Sequence, residues 1–222
     1  FVMDHRFLLR LYHRNWMQYD TNNYNKTILN LVSRGNDSYQ PATVIPREVW
    51  VYHRTFWHNL TLPILTCKPM GRLGNIMGEY ASLYALHQHY NVTVVLHPLM
   101  KQSLGNIFPH LTIPDFQGDY DDITWKTVSN IESLYNYAPI ELAASGLLGA
   151  SHFEISNFPF EIQLFHRFKT ELKNEFRFSS HINTYVQTFL NKITEIWHSW
   201  MYVAPVFIGF HVRRTDYAEH AK

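Results

Sequence analysis

The stretch His211-Val212-Arg213-Arg214-Thr215-Asp216-Tyr217 sets two guanidinium groups side by side after an apolar run. Arginine's planar fork pairs with phosphate oxygens in a bidentate way that lysine cannot copy. Neighbours on a strand point to opposite faces, so Arg213 and Arg214 converge on one ligand only where the chain turns. Such a turn belongs at the carboxyl end of a parallel strand, where α/β sheets bind ligands. Asp216 is placed to orient one guanidinium, and His211 shares a face with Arg213. The chemistry on offer is a clamp on an anion. The competing reading is an Arg–Asp surface pair at a strand end.

Gly71-Arg72-Leu73-Gly74-Asn75 forms a second candidate. Glycines at a strand-to-helix turn let the backbone approach a ligand, and the helix N-terminus attracts anions. The spacing fits neither a dinucleotide fingerprint nor a Walker loop, and a plain tight turn accounts for it equally well. Glu79, one turn further on, reads either as a general base facing the cleft above the sheet or as a carboxylate favoured by the helix dipole. A third candidate, Asp119-Tyr120-Asp121 followed by Asp122, has the spaced acids of a divalent-metal site, but in a glycine-containing loop it reads first as a solvated turn. Fourteen histidines show no metal-ligand spacing, and His87 and His89 lie two apart on a helix, facing different ways. No serine nucleophile elbow is present.

The elements that position these groups follow from apolar periodicity. "LPILTCKP" (62–69) suits a buried strand. From Asn75, a sensible N-cap, Ile76, Met77, Tyr80, Leu83, Tyr84 and His87 fall on one helical stripe. "NVTVVLHP" (91–98) is strand-like again, so 62–98 reads as strand, loop, helix and strand with a parallel crossover. A strand is expected over 152–160, helices over 161–177 and 181–197 with Ser180 as cap, and a strand over 204–212 buried on both faces. Loops occupy 18–27 and 33–43. The class is α/β.

Composition narrows the function. The 222 residues are 46% hydrophobic and 16% aromatic, as in a globular protein. A formal net charge of +1 demands neither nucleic acid nor an acidic membrane as partner. No apolar run approaches the roughly 20 residues that span a bilayer. The chain opens on Phe1 without a readable signal peptide, so we expect a fragment whose membrane anchor lies upstream. Cys67, the single cysteine, reads as a small buried hydrophobe, or else as the partner of a cysteine outside this sequence. Asn-X-Ser/Thr triplets begin at Asn25, Asn36 and Asn59 in polar surroundings, and at Asn91 before a strand. They point to a lumenal or extracellular setting.

Two of the candidate sites together carry a resemblance. "GRLGNIMGEYASLYAL" (71–86) is very similar to the signature of the α-1,2-fucosyltransferases, usually Gly-Arg-Leu-Gly-Asn-Gln-Met-Gly-Glu-Tyr-Ala. "HVRRTDY" (211–217) resembles their His-Val-Arg-Arg-Gly-Asp-Tyr, and the interval between the motifs also fits. Ile76 stands where that family has Gln. Thr215 stands where it has Gly, although α-1,6-fucosyltransferases carry Thr there. The resemblance implies a GT-B-like architecture of two Rossmann-type halves facing across a cleft. This chain would hold the first half plus the first strand of the second: 1–60 a polar leader on the stem side, 61–203 the N-terminal Rossmann-like half, and 204–222 the start of the GDP-binding half. It further implies inverting transfer of L-fucose from GDP-fucose to the 2-hydroxyl of a terminal galactose on a glycan, without a metal or other cofactor. The setting would be the Golgi lumen, on a type II membrane protein. Arg213 and Arg214, with His211 and Asp216, would hold the diphosphate. Gly71, Arg72, Gly74 and Asn75 would meet the donor from the opposite half, and Glu79 would serve as base. Most of the guanosine pocket would lie downstream of Lys222, leaving this piece alone without measurable transfer. The alternatives are a non-catalytic glycan- or nucleotide-binding relative and a fucosyltransferase of α-1,6 or protein O-linked type.

Overall fold

A computed structural model describes residues 45–129, 138–156, 162–201 and 203–208. His211, Arg213, Arg214, Asp216, Asn25 and Asn36 lie outside the described residues.

After a 3-10 turn (Arg47–Val49), the described chain forms a short antiparallel hairpin, β1 (Phe56–Trp57) and β2 (Leu60–Thr61). Its two-residue turn, His58-Asn59, has positive φ at both positions, which matches the twist of the strands it joins. Then come β3 (Ile64–Cys67), α1 (Leu73–Tyr90) and β4 (Thr93–Val94), the crossover unit expected from the apolar pattern. Next are α2 (Pro98–Leu104), β5 (Lys126–Ser129), α3 (Ala138–Ala144) and β6 (His152–Ser156). The four longer-range strands form one parallel sheet in the order β4-β3-β6-β5. The stretch around Asp115 lies against Leu96, outside β4.

β3 is central, and all four of its side chains are fully buried. Thr66 is tolerated there because its hydroxyl donates to the Val95 carbonyl at 2.9 Å. Cys67 is a free, buried thiol, as expected for a small core residue. One face of the sheet carries the main core, where Leu65, Phe153, Ile155 and Val128 meet α1. The other face is covered by Trp57, Phe116, Tyr120 and Trp125 packed over Ile64 and Val95.

Several expectations need correction. Asn75 is not the N-cap: α1 begins at Leu73 with Arg72 in the cap position and no side-chain cap bond. The single stripe on α1 is in fact a helix buried all round from Glu79 to Leu86, because the sheet, α2, α3 and a further helix, α4 (Ile162–Phe165), all pack on it. The helix expected over 161–177 is split into α4, a 3-10 turn (His166–Phe168) and α5 (Lys169–Glu175). The last helix, α6 (Ser180–His198), has Ser179 rather than Ser180 at its cap position, again without a side-chain cap bond. Residues 204–208 form no strand, and Val206 and Ile208 are exposed. An apolar run is buried in a sheet only where neighbouring strands pair with it, and among the described residues none does.

Candidate active site at the carboxyl edge of the sheet

The chain leaves β3 at Cys67, crosses Lys68-Pro69-Met70 and turns at Gly71, whose φ is +79°. A Cβ on Gly71 would lie 2.1 Å from the Asn75 side-chain nitrogen, so the Asn75 amide folds back over this glycine. Gly74 differs: a Cβ there would meet nothing within 4 Å. Residues 71–74 are exposed, and no side chain caps the helix. The first amides of α1 therefore point outward with the positive end of its dipole, an arrangement suited to an anion.

Glu79 lies beneath this turn. The cleft-facing position expected from sequence is not what the fold gives: Glu79 is fully buried, and the Met70 N–H lies 3.1 and 3.2 Å from its two carboxylate oxygens. Burial pushes its carboxyl up to about 7, and the Met70 hydrogen bond opposes that shift. Glu79 thus ties the exit of β3 to the second turn of α1 and titrates near neutrality. The Cys67 thiol is pushed up as well, first by burial and then by the charges of Glu79 and Glu154. Ile76, where Gln would be usual in the signature, is buried in the core and so takes no polar contact away from the exposed rim of the turn.

Of the remaining candidates, Asn59 sits exposed at the hairpin turn, and Asn91 is exposed in a left-handed conformation at the end of α1. Asp119 accepts the Asp121 N–H at 3.0 Å, and Asp119, Asp121 and Asp122 are exposed, as in a solvated turn. No group of three or more metal-ligating side chains occurs among the described residues. His87 contacts the Val92 carbonyl at 2.8 Å while His89 packs against Trp50, so the two do face different ways.

Three further groups emerge only in the folded chain. Tyr80 donates to Glu175, which also accepts from the Thr112 N–H at 2.7 Å and the Thr112 hydroxyl at 2.9 Å. Tyr90 donates to the buried Glu141 at 3.0 Å, and burial holds the Glu141 carboxyl up at about 8. At the carboxyl half of β6, Glu154 accepts from the Tyr120 hydroxyl at 2.5 Å, and the Tyr120 ring lies 4.3 Å from that of His97. The one local signal for this last group is a carboxylate in the apolar alternation of "HFEIS". Its partners are brought from far along the sequence.

A glycine turn thus leads from a central parallel strand into a helix whose first residues are exposed and suited to an anion. The family model described as glycosyl transferase family 11 matches residues 28–222. The chain belongs to glycosyl transferase family 11. Among the relatives of this family-11 chain is galactoside alpha-(1,2)-fucosyltransferase 1 of Ateles belzebuth, 30% identical over 155 residues, which are 69% of this chain and 40% of that protein. The proteins of the same name from Leontocebus fuscicollis and Mico humeralifer match with the same identity and coverage. The chain thus spans well under half the length of these relatives. No solved structure matches it. Among the described residues, no helix is long and apolar enough to cross a membrane.

Proposed function

We propose that the whole protein is a galactoside 2-α-L-fucosyltransferase, taking fucose from GDP-fucose to the 2-hydroxyl of a terminal galactose with inversion and without a metal. The observation that carries this reading is the glycine turn at the carboxyl edge of the sheet, within a chain similar over 155 residues to enzymes of that name. As the bond between fucose and phosphate breaks, negative charge builds on the diphosphate. Preorganised donors that meet that charge lower the barrier. The amides of Gly71–Asn75 and the guanidiniums of Arg213 and Arg214 supply such donors, with His211 and Asp216 beside the arginines in the motif. In this reading the 222-residue polypeptide by itself transfers nothing measurable, since it spans about 40% of the length of its relatives. The enzyme works in the Golgi lumen as a membrane-anchored protein, with Asn25, Asn36 and Asn59 as glycan acceptors.

The test is a transfer assay on the full-length protein with GDP-fucose and a galactose-terminated acceptor. Arg213→Ala and Arg214→Ala should each lower kcat/KM by about 100-fold or more and weaken GDP binding, since each removes a charged partner of the leaving group. Unaltered turnover in both variants, or transfer that stops on adding a chelator, would refute the reading.

A further inference from the structure

Inverting transfer needs a group to take the proton of the attacking hydroxyl, and the described carboxylates differ sharply in their fitness for it. Glu79 is enclosed, with both oxygens directed at the Met70 amide. Glu175 and Glu141 are buried as well, Glu175 bonded by Tyr80 and Thr112 and Glu141 by Tyr90. Asp119, Asp121 and Asp122 belong to an exposed turn. Glu154 is half-buried, on the sheet face opposite α1, in register with Thr66 of β3 and Thr127 of β5. From Thr66, its central neighbour, the chain runs directly on through Cys67 into the Gly71 turn.

We propose that Glu154 is the acceptor-side base of the transfer, held in place by Tyr120 and flanked by His97. The proposal rests on the fucosyl-transfer reading. Three segments converge on this spot: His97 at the exit of β4, Glu154 on β6, and Tyr120 from the loop that covers the sheet, with the exposed Lys68 following β3. His97 accepts the Leu99 N–H on Nδ1 at 3.1 Å, which in the neutral ring leaves the proton on Nε2 as a donor. Burial and the Glu154 carboxylate push the Tyr120 phenol far above its ordinary range, so it remains a donor to Glu154. Tyr120 also stacks on Trp125, with ring centroids 4.8 Å apart. A carboxylate, an imidazole N–H and two aromatic rings together suit a polyhydroxylated sugar: an acceptor and a donor for hydroxyls, and an apolar surface for its C–H face.

In the step, the acceptor hydroxyl oxygen bonds to the anomeric carbon of fucose. The carbon–oxygen bond to the diphosphate breaks, and its electron pair leaves on the diphosphate. The hydroxyl proton passes to Glu154, which becomes a neutral carboxylic acid and later releases that proton to water.

The experiment uses the full-length protein, GDP-fucose and a galactose-terminated acceptor, with GDP affinity and melting temperature measured alongside kcat. Glu154→Gln should lower kcat by about 100-fold or more, as loss of a positioned base does, while GDP affinity and melting temperature stay at wild-type values. A Glu154→Gln enzyme with wild-type kcat overturns the proposal. If that variant fails to fold, Glu154→Asp decides, because it keeps the charge but withdraws it by one methylene. A folded Asp variant with reduced kcat and unchanged GDP affinity supports the role, and one with wild-type kcat refutes it. Absence of transfer by the wild-type protein overturns the fucosyl-transfer reading itself, and this proposal with it.

Discussion

Gly71 and Gly74 occupy one turn but answer to different constraints. Gly71 is fixed by the chain itself: its φ of +79° and the Asn75 amide 2.1 Å from an added Cβ exclude a side chain twice over. Gly71→Ala should therefore cost about 1–2 kcal/mol in chemical denaturation. Gly74 stands on a helix with open space where its Cβ would be, so Gly74→Ala should stabilise the fold by up to about 1 kcal/mol. If the turn receives the donor, the same variant binds GDP-fucose more weakly. A Gly74→Ala protein with unimpaired donor affinity would remove this position from the binding surface. Glu79, below, predicts a pH effect. Its carboxyl rises from an ordinary 4.5 to about 7 on folding, so in that window the native state holds the proton that the unfolded state has lost. Stability then declines as pH rises from 4.5 to 7, by up to about 3 kcal/mol, and is flat in this respect outside that window. Glu79→Gln should lose less stability than wild type between pH 5 and pH 8 in urea melts. Parallel curves for the two proteins would contradict the burial of this carboxyl.

At the scale of elements, α1 and α6 are opposites of nearly equal length. α1 mixes Glu, Ser and Tyr with its apolar residues and is nevertheless buried all round through its middle. α6 is cleanly amphipathic, with Val186, Phe189, Ile193 and Trp197 on one side, yet among the described residues none of its side chains is buried. Exposed apolar surface on this scale drives association. The 222-residue polypeptide should therefore self-associate with rising concentration in sedimentation experiments, and Phe189→Glu with Ile193→Glu should return it towards a monomer. A wild-type polypeptide that stays monomeric throughout would show that its α6 face is already covered. The break between α4 and α5 was hidden from periodicity for a related reason. At the break Phe168 packs on Tyr84 and Arg167 meets His89, contacts that local spacing does not encode.

For the molecule as a whole, what could be read in advance was whatever leaves a periodic or glycine pattern along the chain. The apolar run at 62–69, the glycine turn and the helix after it specify a parallel crossover because a buried strand, a chain reversal and a helix each leave a local pattern. The same local chemistry marked Gly71 as a turn and Cys67 as a buried residue. The strand order β4-β3-β6-β5 left no such mark, because pairing partners are chosen by burial across the whole sheet. The placement of Glu79 under the turn, rather than facing a cleft, was likewise set by how deeply α1 sinks between the sheet and its flanking helices. The meeting of Glu154, Tyr120 and His97 was equally out of reach: strand alternation can assign a carboxylate to a face, but which loop closes over that face is decided by packing between segments far apart in sequence.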